Sequence, residues 1–367
     1  MPETMRAARL YEPGKPFRVD VVEKPVPRPG DVLVRVEACG IIPNMNAIVS
    51  GALWHFLPTP PAIMGLDAAG VVVEAPAGRS AFAVGDRVYV NPFLSCGVCL
   101  HCRSGDALYC SDAALRGYFG FTAKGRALLD EYPYGGLGEY MTAAPEHLVK
   151  LPDEVSFEEG ARWGYLCTSY SGLRRGGVAA GSWVAINGVT GTLGVGAVLL
   201  ALAMGATRIL GWGRNRPVLE RLRALAPRRI DTLALGDAPI ADWVRARTDG
   251  AGVDLLLDCT GRGGPAAPVL EAVNAVKRGG TTLNIGALAE PLPLNPTQFM
   301  TSSMQYRGAN WFTNAEATRV ADMARCGALD LSHWEPRVYP LDGVNQALAD
   351  IKDRPGGFAN LVVAPGR

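Results

Sequence analysis

The chain has 367 residues, 48% hydrophobic and 19% charged, with 36 basic residues against 35 acidic and a formal net charge of +1. That length suits two domains of ordinary size with a cleft between them. The balanced charge, with no basic run, gives no electrostatic footprint for nucleic acid or an anionic membrane, so a small-molecule substrate is the expected partner.

The opening MPETMRAARLYEPGKPF lacks the apolar stretch of a signal peptide, and no run approaches the roughly 18 uninterrupted apolar residues of a spanning helix. A cytoplasmic protein is expected. Residues 17–40 alternate apolar and polar around a Pro-Gly pair, reading as antiparallel strands joined by a turn. Further β-like runs follow at GVVVEA and DRVYV, and up to about residue 150 the text is short strands and Gly/Pro loops.

Within that half lies CGVCLHCRSGDALYC, residues 96–110. Under reducing conditions clustered cysteines are read as metal ligands rather than disulfides. Cys96, Cys99, Cys102 and Cys110 have the spacing C-x2-C-x2-C-x7-C, which brings four thiolates around one tetrahedral ion on a single loop. An all-thiolate shell is closed and leaves no position for water or substrate, so the expected ion is a structural zinc, with no need of His101. The bacterial iron–sulfur run has a shorter last spacing and a following proline, whereas Cys110 is followed by Ser111. The other cysteines, Cys39, Cys167, Cys259 and Cys326, sit in apolar text and read as buried, inert thiols.

From about residue 155 the pattern changes. SWVAING, TRILGWG, VDLLLDCTG and TTLNIGA are short apolar runs separated by helix-length segments, the signature of a parallel doubly wound sheet. The first run leads into Asn187-Gly188-Val189-Thr190-Gly191-Thr192-Leu193-Gly194 and then an apolar helix. Glycines 188, 191 and 194 permit a tight turn, a close approach of backbone to a pyrophosphate, and close helix-on-strand packing, with the helix N-terminus favouring the negative charge. The next strand ends in Gly213, where an NAD-selective chain would carry an acid to bond the ribose 2′-hydroxyl. Arg214, Asn215 and Arg216 follow, and arginine can clamp a 2′-phosphate, so NADP(H) is the expected cofactor.

A cysteine lobe of this spacing between a β-rich half and a glycine-loop domain resembles the zinc-containing alcohol dehydrogenases of the medium-chain dehydrogenase/reductase superfamily. PVPRPGDVLVRVEACG, PAIMGLDAAGVV, FAVGDRVYV, GGLGEYMTAAPEHLVKLPDEVSFEEGA and VAINGVTGTLG stand in the family's order, so the likeness covers nearly the whole chain. It implies an α/β protein with a GroES-like β-rich catalytic domain, residues 1–165 and 312–367, carrying a zinc lobe at about 91–113. A Rossmann dinucleotide-binding domain would span 166–311. Homodimers or homotetramers are usual in the family. The implied cofactor contacts are Thr168, Gly188, Thr190, Gly191, Leu193 and Gly194 with Arg214, Asn215, Arg216, Ile285 and Gly286. Asn360 takes the place of the arginine that reaches the pyrophosphate in many members.

The family's second, catalytic zinc is a different matter. Its first cysteine ligand is replaced by Ile42, its histidine in a G-H-E triplet by Leu66 of Gly65-Leu66-Asp67, and its last cysteine, four residues before Thr168, by Gly164. Neither an alkyl chain nor a hydrogen donates a lone pair to zinc. Asn44 replaces the hydroxyl residue that would touch an alcohol, and Ala47 replaces a relay histidine. One structural zinc per chain and no catalytic zinc are therefore expected. Without a Lewis acid, hydride addition suits an already electron-poor acceptor, an α,β-unsaturated carbonyl or an iminium ion. The leading reading is an NADPH-dependent C=C or C=N reductase, with Asn44, Trp54, His55 and Asp67 as candidate pocket residues and His55 as the candidate proton donor. The alternatives are a zinc-independent alcohol dehydrogenase or carbonyl reductase, and a non-catalytic NADPH-binding protein.

Overall fold

The computed structural model describes residues 2–53, 56–78, 80–353 and 355–367. The first body is built around Val32–Gly40, which pairs antiparallel with Asp67–Glu74, Tyr140–Ala143 and Ala359–Ala364. From edge to edge the sheet runs Leu148–Lys150, Arg87–Val90, Asp67–Glu74, Val32–Gly40, Ala359–Ala364 and Glu335–Pro340. The last two strands come from the far end of the chain, so the β-rich body closes only after the nucleotide-type body has been made. Every residue of Ala359–Ala364 is buried, which explains why NLVVAP reads as an unbroken apolar run rather than an alternating one.

Residues 17–40 do form strands, but not a hairpin. Arg18–Glu23 pairs with Thr4–Leu10 in a separate small sheet, while Val32–Gly40 enters the large one. Pro25, Pro27 and Pro29 lie between them. Each proline removes a ladder donor, and together they carry the chain from one sheet to the other instead of turning it back. The β-rich half also contains the helix Ala123–Glu131, whose N-terminus is capped by the Thr122 hydroxyl accepting from Gly125 N at 3.0 Å.

The second body is a parallel sheet in the order Ile230–Ala234, Arg208–Gly213, Trp183–Asn187, Val253–Asp258, Val276–Asn284, Gln305–Gly308. In chain order this is 3-2-1-4-5-6, the doubly wound arrangement whose crevice opens between its first and fourth strands. Those strands are Trp183–Asn187 and Val253–Asp258, and at their C-terminal ends Asn187 donates to Asp258 Oδ1 at 2.9 Å and to Thr260 Oγ1 at 2.7 Å. The crossover helix Thr192–Ala203 is buried along most of its length, packed between the sheet and the helix Trp163–Arg175. Among the described residues no helix is long and apolar enough to cross a membrane.

Candidate active site and metal centre

The cysteine lobe has little regular structure: one helical turn at Leu100–Arg103 and a 3-10 turn at Ala107–Tyr109. Its own apolar side chains do not make a core, since Val98 is 78% exposed, Leu100 79% and Tyr109 59%. What the lobe does converge is sulfur. The Sγ atoms of Cys96, Cys99, Cys102 and Cys110 lie within 4.8 Å of one another, with Cys99 to Cys102 at 3.5 Å and Cys96 to Cys102 at 4.0 Å. Tetrahedral zinc with bonds of about 2.3 Å requires sulfurs about 3.8 Å apart, so the donor set and its spacing both fit the ion. Backbone N–H groups of Val98 and Cys99 hold the Cys96 thiol down to about 7, poised to ionise. Burial pushes Cys110 the other way, to about 12, a penalty that a dication would override. His101 stays outside the set, its ring edge-on to Tyr109 at 5.9 Å. Of the four remaining cysteines, Cys39, Cys167 and Cys259 are buried as expected; Cys326 is exposed, because it follows the surface helix Asn314–Arg325 instead of facing the core.

In the glycine loop each glycine has its own reason. Gly188 adopts φ +73°, a turn conformation that side chains avoid. A Cβ on Gly194 would lie 2.5 Å from Gly188 O and from Val189 Cα, so helix and loop touch through hydrogen alone. Gly191 is exposed, and a Cβ there would meet nothing closer than 3.4 Å, so the space beside it at the start of the Thr192–Ala203 helix is open, while its own N–H is bonded to Gly188 O at 3.0 Å. Leu193 O accepts from Ser169 Oγ at 3.0 Å, tying the loop to the Trp163–Arg175 helix. Gly213 faces Thr190: a Cβ there would come within 2.7 Å of Thr190 Oγ1 and Cγ2, so the missing acid is built into the packing. Arg214 is exposed, Asn215 Oδ1 caps the Arg216–Leu225 helix by accepting from Val218 N, and Arg216 grips Asp237 through Nη1 at 2.9 Å and Nη2 at 2.5 Å. Across the crevice Ile285 and Gly286 donate their backbone N–H groups to Asp258 O, and Gly286 has Thr260 O 2.3 Å from where a Cβ would be.

The three positions where the resemblance expects zinc ligands come together. Gly40 pairs with Asp67 across the sheet, placing Ile42 and Leu66 beside one another's strand ends, and both are buried. Gly164 stands against Asp67: a Cβ on residue 164 would be 2.1 Å from Asp67 Oδ1. The Asp67 carboxylate therefore fills the volume that a side chain at 164 would need. It accepts from Tyr89 Oη at 2.8 Å and from the Gly164 backbone, is fully buried, and leaves Oδ2 without a protein partner. Thr168 sits one turn on, its hydroxyl donating to Gly164 O at 2.7 Å. Asn44 precedes the short helix Met45–Val49 and makes no side-chain cap, so its amide is not consumed there. Trp54 and His55 lie outside the described residues.

Burial raises the Asp67 carboxyl to about 6, against the lowering pull of Tyr89, Arg162 and the Gly164 N–H. A carboxyl whose folded pKa is raised lends stability below its unfolded value, about 3.9, and loses it as pH rises through the folded value. Asp67→Asn removes this titration. Denaturant unfolding of the two proteins should therefore show the variant gaining on the parent between pH 4 and 7, by on the order of 2 kcal/mol. An unchanged difference across that range contradicts the buried carboxyl.

One residue of the site, Arg162, had no distinguishing signal in the sequence. Arg162, 1% exposed, sits just before the Trp163–Arg175 helix and donates from Nε to Asn360 Oδ1 at 2.9 Å and from Nη2 to Ala359 O at 3.3 Å. Asn360 is fully buried and also donates to Glu158 O at 2.6 Å. Asn187 and Asp258, by contrast, are marked in the sequence as polar residues that each end an apolar run, and the fold puts both at the crevice.

Comparison with known proteins gives the same architecture. Residues 28–153 match the family described as alcohol dehydrogenase GroES-like domain, and residues 192–325 match zinc-binding dehydrogenase. An alcohol dehydrogenase of Geobacillus stearothermophilus is 30% identical over 355 residues, covering 95% of this chain and 96% of that one. The crystal structure of AibC superposes with a TM-score of 0.85 at 27% identity, covering 99% of this chain and 96% of the other. A putative zinc-binding dehydrogenase from Sinorhizobium meliloti, bound to NADP, gives 0.84 at 26% identity over 99% and 100%.

Proposed function

The chain belongs to the zinc-binding alcohol dehydrogenase family and is an NAD(P)-dependent oxidoreductase; within that family we propose that it is an NADPH-dependent reductase of activated C=C or C=N bonds that works without a catalytic zinc. The observation that carries this reading is the Asp67 carboxylate seated where a side chain at Gly164 would project, with hydrocarbon at Ile42 and Leu66. An isolated carboxylate with those neighbours is a poor metal site, because zinc needs three protein donors even in an open shell.

NADPH, when bound, supplies the hydride. The chain's part is to hold, orient and shield. The Gly188–Gly194 loop and the start of the Thr192–Ala203 helix receive the diphosphate, and Arg214 supports the choice of the 2′-phosphate where Gly213 offers no acid. Thr168 is fixed against Gly164 O and borders the nicotinamide position that the family resemblance implies. Asn44 can donate an amide hydrogen bond to a carbonyl oxygen but cannot act as a general acid at neutral pH, so the proton comes from water or from His55. Hydrogen bonding alone stabilises an alkoxide less than a Lewis acid does, while charge spread over an enolate, or hydride arriving at a cation, needs less stabilisation.

A substrate panel tests this. Enals, enones and cyclic imines should be reduced with NADPH at least tenfold more efficiently than with NADH, and saturated ketones of similar size should turn over at least a hundredfold more slowly. Efficient oxidation of simple alcohols with no activity on enals or imines would instead favour the zinc-independent alcohol dehydrogenase reading, which the Geobacillus relative's activity keeps in view.

A further inference from the structure

The helix Trp163–Arg175 is enclosed on every side for most of its length. From Trp163 to Leu173 each residue is buried except one, Tyr165, which stays partly exposed. A helix enclosed by its neighbours opens a side chain to water only where those neighbours part. Just before Tyr165, Gly164 stands against Asp67 of the β-rich body, with room for no more than hydrogen between them. Further along, Ser169 donates to Leu193 O of the glycine loop at 3.0 Å, and a Cβ on Gly172 would lie 2.9 Å from Ile285 Cγ2. Tyr165 therefore stands where the β-rich body and the nucleotide-type body meet, and Thr168, three residues on, is its neighbour on the helix surface.

The Tyr165 hydroxyl is uncommitted: among the described residues nothing accepts from it or donates to it. Burial, and after it the Asp67 carboxylate, push the phenol above its usual range, so at neutral pH it carries its proton. The charge it would leave behind has an answer within the fold. Arg162, three residues earlier, is a buried guanidinium whose Nη1 meets no acceptor in the protein. Burial lowers its pKa, and the chief offset is attraction to an ionised Tyr165. Tyr118, a second phenol within electrostatic reach, is buried, at 5% exposed.

We propose that Tyr165 is a catalytic residue, the proton donor of the reduction, and that the substrate is therefore an α,β-unsaturated carbonyl and not an iminium ion. This rests on the reading of the chain as an NADPH-dependent reductase of activated double bonds. The two substrate classes differ in their need for a proton. Hydride arriving at an iminium carbon cancels the cation and gives the neutral amine outright. Hydride arriving at the β carbon of an enone moves the π pair onto oxygen as an enolate, and reduction is complete only when the α carbon takes a proton. Tyr165 Oη supplies it, in place of water or His55, and the enolate pair forms the new C–H bond. Arg162 stabilises the phenolate until water returns a proton to it, so one NADPH and one solvent proton are consumed and NADP+ is released.

The test uses the full-length, zinc-loaded protein with 2-methylcyclohexenone, whose α carbon becomes a stereocentre, and with N-methyl-dihydroisoquinolinium. The parent protein should reduce the enone with NADPH to a single configuration at that carbon. Tyr165→Phe should lower the enone kcat by about a hundredfold or more, the range of a general acid, and randomise the configuration, because water then protonates the enolate. Its NADPH Kd, and whatever rate the parent shows on the iminium salt, should stay within twofold. Enone and iminium rates falling together, a raised NADPH Kd, an unchanged enone rate and configuration, or the same losses in Tyr118→Phe instead each overturn the assignment. A parent that reduces the iminium salt and not the enone overturns it too, and leaves the reductase reading standing. A parent that reduces neither sinks that reading, and this inference with it.

Discussion

Gly194→Val is expected to weaken NADPH binding by at least a hundredfold, about 2.7 kcal/mol. The reason is local and steric. Even a Cβ at this position would sit 2.5 Å from Gly188 O and Val189 Cα, backbone atoms that have no rotamer to escape into. The loop would have to lift away from the helix, displacing the backbone proposed to receive the diphosphate. The cysteine lobe belongs to the other body, so zinc content should remain one per chain. Tight NADPH binding by a folded Gly194→Val protein would mean that the loop does not hold the cofactor as described.

Cys96→Ser should have a comparably large effect on a different property. Three thiolates and a serine hydroxyl make a much weaker zinc shell, so dialysis against a chelator should leave less than about 0.2 zinc per chain. The lobe has no apolar core to fall back on, with Val98, Leu100 and Tyr109 turned outward. We expect the 96–110 loop to become the first site of proteolysis, and the unfolding midpoint to fall by roughly 5–10 °C. The NADPH Kd should change little, since the lobe and the glycine loop belong to different bodies. Retention of zinc in Cys96→Ser would show that another residue completes the shell.

Much of this was legible in the sequence because the relevant signals are local. The cysteine spacing, the strand–glycine loop–helix succession and the alternation of apolar runs with helix-length segments each fit within a few tens of residues. What the sequence did not reveal depends on distant partners. The strand after Pro25, Pro27 and Pro29 looked like the second half of a hairpin, because its true neighbours, Asp67–Glu74 and Ala359–Ala364, lie far along the chain. Cys326 sits in text as apolar as that around Cys167, yet only Cys167 faces a core. Arg162 looks like any surface arginine until Asn360, 198 residues away, is seen to hold it. Asp67 was recognised as a candidate from its position, but its burial and its occupation of the space beside Gly164 appear only in three dimensions.

The central claim, that hydrocarbon and a buried carboxylate stand where a catalytic metal would be held, is tested most directly by counting zinc in two proteins. Purified wild-type chain should contain one zinc, and Cys96→Ser, dialysed in parallel, close to none. Two zincs in the wild type and one surviving in the variant would place a metal outside the cysteine lobe and contradict the account.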